Sequence, residues 1–213
     1  MINNKTVIIS CAGIGKRLGR GIPKAIVELY GEELIIRTLK LLDDVEDVRI
    51  VVGYQAEKVI EKVLSFRRDV MFVFNHDYLN TGTGASVLLA ARGAKEYILT
   101  IDGDVIIHPN DMKKLLEKDE EFVGVMDITT EDPVFVKIND DNKAIGFSRE
   151  NGEYEWTGIT QLKTSHLIET TGHTLTLVEP RLPLPIEKVR MREIDTESDF
   201  IIAYDWVKGG YKD

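Results

Sequence analysis

The sequence predicts one α/β domain over 1–213, with a mostly parallel central sheet, helices on both faces and a β-rich extension at about 121–163. Three observations predict it. Short apolar runs alternate with amphipathic stretches through the first 120 residues. Those runs are continuously apolar, as in parallel strands covered on both faces. Beyond 120 the apolar runs follow one another without helical periodicity between them.

The elements follow in order. "TVIIS" (6–10) reads as a buried strand, and "EELIIRTLKLLDD" (32–44) carries Leu34, Ile35, Leu39 and Leu42 at helical spacing. "VRIVVG" (48–53) is a second strand and "AEKVIEKVLSF" (56–66) a second helix. "VMFVFN" (70–75) is a third strand, followed by a helix at 83–94 entered through Gly82 and Gly84. "YILTID" (97–102) is a fourth strand, and "PNDMKKLLEKD" (109–119) a helix with Pro109 in its first turn. "EFVGVMDI", "PVFVKIND" and "KAIGFSRE" are consecutive strands, the last two joined by a turn at "NDDN". "EYEWTGITQLK" (153–163) is another strand, with a short helix expected near "SHLIET". "VEPRLPLPIEK" holds three of the six prolines and is expected to be extended. "VRMREI" reads as a strand and "ESDFIIAYDWVK" as a terminal helix.

Composition excludes several classes. Net charge is −9, which argues against a broad nucleic-acid surface and leaves room for a small anionic ligand where cations are local. No apolar run approaches the roughly 20 residues of a membrane span. "MINNKTVIIS" lacks the basic start and cleavage site of a signal peptide. Cys11 is the only cysteine, so no intrachain disulfide forms. These features suit a cytoplasmic protein.

Against that acidic background, "SCAGIGKRLGRGIPKAIVELYGEELI" (10–35) collects Gly13, Gly15, Gly19 and Gly21 among Lys16, Arg17, Arg20 and Lys24. A glycine-rich turn between strand and helix presents backbone N–H groups to phosphate. The spacing is neither the G-x-x-x-x-G-K-[ST] loop nor G-x-G-x-x-G, because Leu18 breaks the second pattern. A flexible surface loop with solvated charges accounts equally well for the glycines and cations alone. Asp102 and Asp104, in "LTIDGDVIIHP", close a predicted parallel strand, where α/β sheets place their ligands. Two carboxylates beside a phosphate loop suit Mg²⁺. A capping role for one of them is the competing reading. In "REIDTESDF" (192–200), Thr196 or Ser198 would cap the last helix with Asp199 in its first turn. Capping leaves Asp195, just beyond a strand, unexplained.

These clusters, in this order, resemble the nucleotidyltransferases of the Rossmann-like GT-A fold. "CAGIGKR…IPKAIVELYGEELI" is similar to that superfamily's A-x-G-x-G-x-R…P-K loop, with Cys11 where alanine is usual and Glu32-Glu33 replacing a usual Lys-Pro. "DGDV" resembles its strand-end metal motif. "NHDYLNTGTGASVL" (75–88), "EWTGITQLKTSHL" (155–167) and "REIDTESDF" most resemble the phosphocholine and 2-aminoethylphosphonate cytidylyltransferases.

The resemblance implies transfer of a nucleotidyl group, CMP from CTP, to a phosphate or phosphonate monoester, with release of pyrophosphate. It implies that Ala12, Gly13, Ile14 and Gly15 cradle phosphates, and that Arg17 and Lys24 neutralise them. Asp104 and Asp195 would hold Mg²⁺, with Asp102 behind them. Asn80, Thr81 and Gly82 would read the base, a pyrimidine fitting where Gly82 and Gly84 leave room. Lys188, Arg190 or Arg192 would receive the acceptor's phosphate. Trp156 would face the acceptor, although a strand tryptophan is more often core. His76, His108, His166 and His173 lack metal-ligand spacing. A sugar-1-phosphate uridylyl- or guanylyltransferase remains open, as do a D-x-D glycosyltransferase and a silent nucleotide-binding module. The Arg17/Lys24 loop discriminates against the glycosyltransferase. The full set of Arg17, Lys24, Asp104 and Asp195 argues against the silent module.

Overall fold

The computed structural model describes residues 2–130 and 132–212. β1 (Ile2–Cys11) is followed by a long loop, a 3-10 turn at Lys24–Ile26 and a small hairpin of β2 (Glu28–Leu29) and β3 (Glu32–Glu33). Then come α1 (Leu34–Leu41), β4 (Val45–Val52), α2 (Ala56–Phe66), β5 (Met71–Phe74), α3 (Thr83–Ala90) and β6 (Tyr97–Asp102). β7 (Val105–Ile107) and α4 (Pro109–Leu116) lead into β8 (Phe122–Met126), β9 (Phe135–Ile138), β10 (Lys143–Ser148) and β11 (Tyr154–Lys163). The chain ends with α5 (Leu175–Val178), β12 (Leu184–Lys188), β13 (Met191–Glu193) and α6 (Glu197–Lys208).

Nine strands form one sheet in the order β5-β4-β1-β6-β11-β8-β12-β10-β9. Its first four strands are parallel. β11 runs antiparallel to both β6 and β8, β12 is parallel to β8, and β10 is antiparallel to β12 and β9. The β-rich segment therefore continues the same sheet, and the parallel character belongs to the half in which helices separate the strands.

Alternation sorts the apolar runs onto two faces. Val7 and Ile9 of β1 pack with Ile35 and Leu39 of α1, Val59 and Val63 of α2, and Met112 of α4. Ile8, between them, packs on the opposite face with Val87 and Ala90 of α3 and Leu177 of α5. A third cluster of Leu18, Val27, Leu29, Leu34, Ile106, Ile194, Ala203 and Trp206 joins the N-terminal loop to α6.

Several sequence expectations need adjustment. Residues 32–33 pair as a strand, so α1 begins two residues late. The expected helix near "SHLIET" is only a 3-10 turn at Thr164–His166. "VEPRLPLPIEK" is not extended throughout: Val178 closes α5 and Glu179–Arg181 is a 3-10 turn. Proline fits the first helical turn because it lacks only an N–H that has no helical acceptor there. β7 is too short to stand out in sequence; it is held by pairing with β13. None of the described helices is long and apolar enough to cross a membrane.

Candidate active site

Strand order determines where the site lies. From β1 the chain moves outward through β4 and β5, then returns to the other side of β1 as β6. Loops leaving the carboxyl ends of β1 and β6 diverge there, opening the crevice in which α/β sheets bind ligands. The glycine-rich loop leaves β1, and Asp102-Gly103-Asp104 leaves β6. The Gly103 N–H donates to the Ser10 carbonyl at 2.9 Å. A Cβ on Gly103 would lie 2.6 Å from Cys11 Sγ, so only glycine permits this approach.

The C-terminal acidic segment reaches the same place through β13. Glu193 pairs with Val105, and the Ile194 N–H donates to the Asp104 carbonyl at 2.9 Å. Beyond it α6 opens with a capping box. Thr196 accepts from the Asp199 N–H at 3.3 Å, and Asp199 Oδ2 accepts from the Thr196 N–H at 2.8 Å. The cap uses Thr196 and Asp199, not Ser198, and leaves Asp195 to face the crevice.

The loop is anchored at several points. Leu18 is buried in the third cluster. Arg20 donates to both carboxylate oxygens of Glu197 at 2.9 and 3.0 Å and lies 4.0 Å over the Phe200 ring. Gln55 Nε2 donates to the Gly21 carbonyl at 3.1 Å. Gly15 has φ +67°, and a Cβ there would meet Lys24 Cγ at 2.6 Å. Glycine thus supplies both the left-handed backbone and the room for Lys24 beneath the loop.

Lys24, with its side chain 13% exposed, spans the two acidic segments. Its Nζ donates to Asp104 Oδ2 at 2.7 Å and to Asp195 Oδ1. Arg17 reaches the other Asp195 oxygen at 2.5 Å from an exposed position. Burial works against the charge on Lys24, but Asp104 and Asp195 outweigh it and its pKa is raised. Loss of hydration, then the Asp104 charge, pushes Asp102 up to about 7 although Lys24 opposes the shift. Glu193 is open to solvent yet deep in the crevice. Its restricted hydration and the charges of Asp104, Asp195 and Asp102 push it up to about 8. Asp104, Glu193 and Asp195 each bring a carboxylate oxygen within 4.8 Å of the others. An all-oxygen set of this kind suits a hard divalent cation.

These groups line a cleft of about 1280 Å³. Of the residues singled out in sequence, Ala12, Gly13, Gly15, Arg17 and Lys24 line one part of it. Asp104, Asp195, Thr81, Gly82 and Trp156 line the rest, whereas Ile14 and Asn80 are not among the lining residues. The Asn80 amide instead donates to Asp77 Oδ1 at 2.6 Å. Lys188, Arg190 and Arg192 also lie outside the lining. Lys188 Nζ sits 4.4 Å over the Tyr154 ring, and Arg192 lies 4.7 Å over Trp206. Arg190 donates to both oxygens of buried Asp111 at 2.8 and 2.9 Å.

Gly82 and Gly84 have a different purpose from the one expected. Their N–H groups donate to the carbonyls of Thr171 and Gly172 at 2.8 and 2.9 Å. A Cβ at either position would fall 2.5–2.7 Å from the backbone of 172–173. They seat a loop against α3, so the space they leave is filled by protein. Trp156 is partly buried, packs edge-on against Phe147 at 5.6 Å and lines the cleft.

Sequence reasoning missed Glu193, whose signal was its position two residues before Asp195 along an extended segment. It also missed Glu155, which is buried and lines the cleft. Glu155 accepts from the Thr129 and Thr130 N–H groups at 2.9 and 3.2 Å and from the Thr130 hydroxyl at 2.6 Å. Nothing in its local sequence marks that role.

A family model described as MobA-like NTP transferase domain matches residues 7–138, more than half of the chain. A curated relative, the bifunctional IPC transferase and DIPP synthase of Archaeoglobus fulgidus, is 32% identical over 139 residues, 64% of this chain. The match spans 26% of that relative's own length. Among solved structures, the inositol-1-phosphate CTP transferase from T. maritima has a TM-score of 0.81 at 20% identity, covering 100% of both chains. The CTP:phosphocholine cytidylyltransferase of Streptococcus pneumoniae has a TM-score of 0.77 at 19% identity, covering 95% of this chain and 98% of its own. At such identities these two likenesses show the fold.

Proposed function

The chain belongs to the MobA-like NTP transferase domain family, and on that premise we propose that it transfers CMP from CTP to a phosphate or phosphonate monoester and releases pyrophosphate with Mg²⁺. The observation that carries this reading is Lys24, held between Asp104 and Asp195 beneath the glycine-rich loop at the head of a cleft large enough for two substrates.

The acceptor oxygen attacks the α-phosphorus in line, and the bond to the β-phosphate breaks as pyrophosphate leaves. Little covalent chemistry falls to the protein, so rate comes from positioning and charge. Segment 12–15 receives the phosphates on its backbone. Arg17, on an exposed side chain, follows the leaving pyrophosphate. Lys24 neutralises charge developing on the α-phosphate. Asp104 and Asp195, with Glu193 beside them, would hold Mg²⁺, which supplies a Lewis acid to the phosphate oxygens. Thr81 and Gly82 line the nucleobase end. Lys16, Arg17, Lys24 and Arg149 are the Lys and Arg residues lining the cleft. We assign the acceptor's phosphate to Arg149, since Lys188, Arg190 and Arg192 lie elsewhere. Cytidine is supported by the resemblance of 75–88 and by the named CTP use of both solved neighbours.

The test is pyrophosphate release with each of the four NTPs against choline, aminoethyl, inositol and sugar phosphates or phosphonates. CTP is expected to give the highest kcat/KM. A win for a purine nucleotide overturns the cytidylyl assignment. A win for UTP with a sugar phosphate keeps the metal site and changes the substrate pair. No release with any pair overturns the transferase reading.

A further inference from the structure

Both oxygens of Asp195 are engaged, one by Lys24 and the other by Arg17, and Lys24 also holds Asp104 Oδ2. Two of the three carboxylates suited to a divalent cation are thus already paired with cations of the chain itself. A divalent ion on these oxygens would sit within a few ångströms of the Lys24 ammonium, a strong like-charge repulsion in a half-buried site. It cannot bind Asp104 and Asp195 together unless Lys24 moves.

We propose that Lys24 and Arg17 act as built-in counter-ions that keep a divalent cation off Asp104 and Asp195 until a triphosphate draws both side chains onto itself. The proposal rests on the reading of the cleft as an NTP site and adds an order to it. The protein in its nucleotide-free form resists loading with metal, and nucleotide and metal enter as one unit. The geometry suits such an exchange. Arg17 has 72% of its side chain exposed and can leave Asp195 without disturbing the core. Lys24 lies directly beneath Gly15, so triphosphate received on that backbone arrives beside the ammonium that must change partners. Glu193, beside Asp104 and Asp195, offers the incoming ion a third carboxylate. Coupling of this kind is reciprocal: the factor by which nucleotide tightens metal binding is the factor by which metal tightens nucleotide binding.

The test measures Mn²⁺ binding directly, by the loss of the free-ion EPR signal on titration into the full chain. Turnover is not involved. Without nucleotide, wild type is expected to bind Mn²⁺ about tenfold or more weakly than Lys24→Met, in which Asp104 and Asp195 lose a shared counter-ion. Arg17→Ala, at an exposed position that tolerates truncation, should shift affinity in the same direction by a smaller factor. Adding α,β-methylene-CTP to wild type should restore tight binding beyond what the nucleotide alone retains. Mn²⁺ affinity within about twofold of wild type in either folded variant overturns the proposal. Failure of all four triphosphates to bind counts against the proposed function, while the comparison of nucleotide-free proteins still decides whether the counter-ions exclude metal.

Discussion

Gly15 gives the sharpest test of how the loop serves the site. Its backbone lies at φ +67°, which costs an alanine about 1–2 kcal/mol. Its added Cβ would also sit 2.6 Å from Lys24 Cγ. Carbon atoms pack at about 3.5–4.0 Å, so the lysine stem must retreat by roughly 1 Å. Its ammonium, now 2.7 Å from Asp104 Oδ2, would then lie beyond hydrogen-bond reach. Gly21 is the matched control. It has the same φ of +67°, and a Cβ there meets nothing within 4 Å. Gly15→Ala and Gly21→Ala therefore carry the same backbone penalty and differ in the displacement of Lys24. A misplacement of about 1 Å in a catalytic group costs on the order of 100-fold in rate. With both proteins shown to be folded, pyrophosphate release at saturating NTP and acceptor should be about 100-fold slower for Gly15→Ala than for Gly21→Ala. If kcat agrees within about threefold between the two, the space beneath Gly15 does not position Lys24 for catalysis.

Three further outcomes follow from the same geometry. Asp104→Ala and Asp195→Ala should each remove most turnover while Asp102→Asn does less, and excess EDTA should stop the wild-type reaction; a folded, fully active Asp195→Ala protein is the contrary result. Lys24→Ala should lower kcat more than it raises KM for NTP, because its interaction strengthens as charge develops on the α-phosphate; steady-state kinetics with kcat unchanged would argue against that role. Asp111→Asn should cost about 1–2 kcal/mol at pH 7, an amount reduced by solvent screening of the partly exposed Arg190. Burial alone would raise the Asp111 pKa, but Arg190 outweighs it and holds the carboxyl below its usual range. A depressed folded pKa stabilises above the unfolded value of about 3.9 and ceases to as pH falls through the folded value, so the Tm gap between wild type and variant should close only below about pH 4.

How much of this was legible in sequence depended on how local the signal was. α2 and α6 have the bounds their periodicity gave, and β6 coincides with "YILTID". Continuous apolar runs identified the parallel strands because burial on two faces imprints the sequence directly. The mixed half was less legible: β12 lies parallel beside β8, a pairing across some sixty residues that no local pattern encodes. At the site, Lys24, Asp104 and Asp195 stood out because glycines, a proline and strand ends flanked them. Glu193 and Glu155 did not, because their roles come from what tertiary structure brings alongside. Basic residues misled for the same reason. Arg190 and Arg192 lie near Asp195 in sequence, but the turn of β13 aims them at Asp111 and Trp206. Glycines misled in part: the backbone of 172–173 fills the side-chain space of Gly82 and Gly84, although Gly82 still lines the cleft.

The precision of the site comes from the residues next to the ones that face the cleft. Arg17 precedes Leu18, Lys24 precedes Ala25, and Asp104 precedes Val105, each neighbour being buried. Ile194, fully buried, separates Glu193 from Asp195. Each cleft-facing group is therefore one bond-turn from an anchor in a packed core, where displacement would open a void or force a clash. Leu18, Val105 and Ile194 come from three distant segments. Leu18 and Ile194 share the cluster that also holds Trp206, while Val105 belongs to the core beneath the parallel sheet. The same logic explains α6. Asp199 satisfies the helix start, and its Oδ2 also accepts from the Asp195 N–H at 3.2 Å. The cap fixes the backbone of Asp195 and leaves both of its own carboxylate oxygens to Lys24 and Arg17. Truncating an anchor such as Ile194 should thus loosen two carboxylates at once, whereas truncating Asp104 or Asp195 removes one charge and leaves the buried anchors in place.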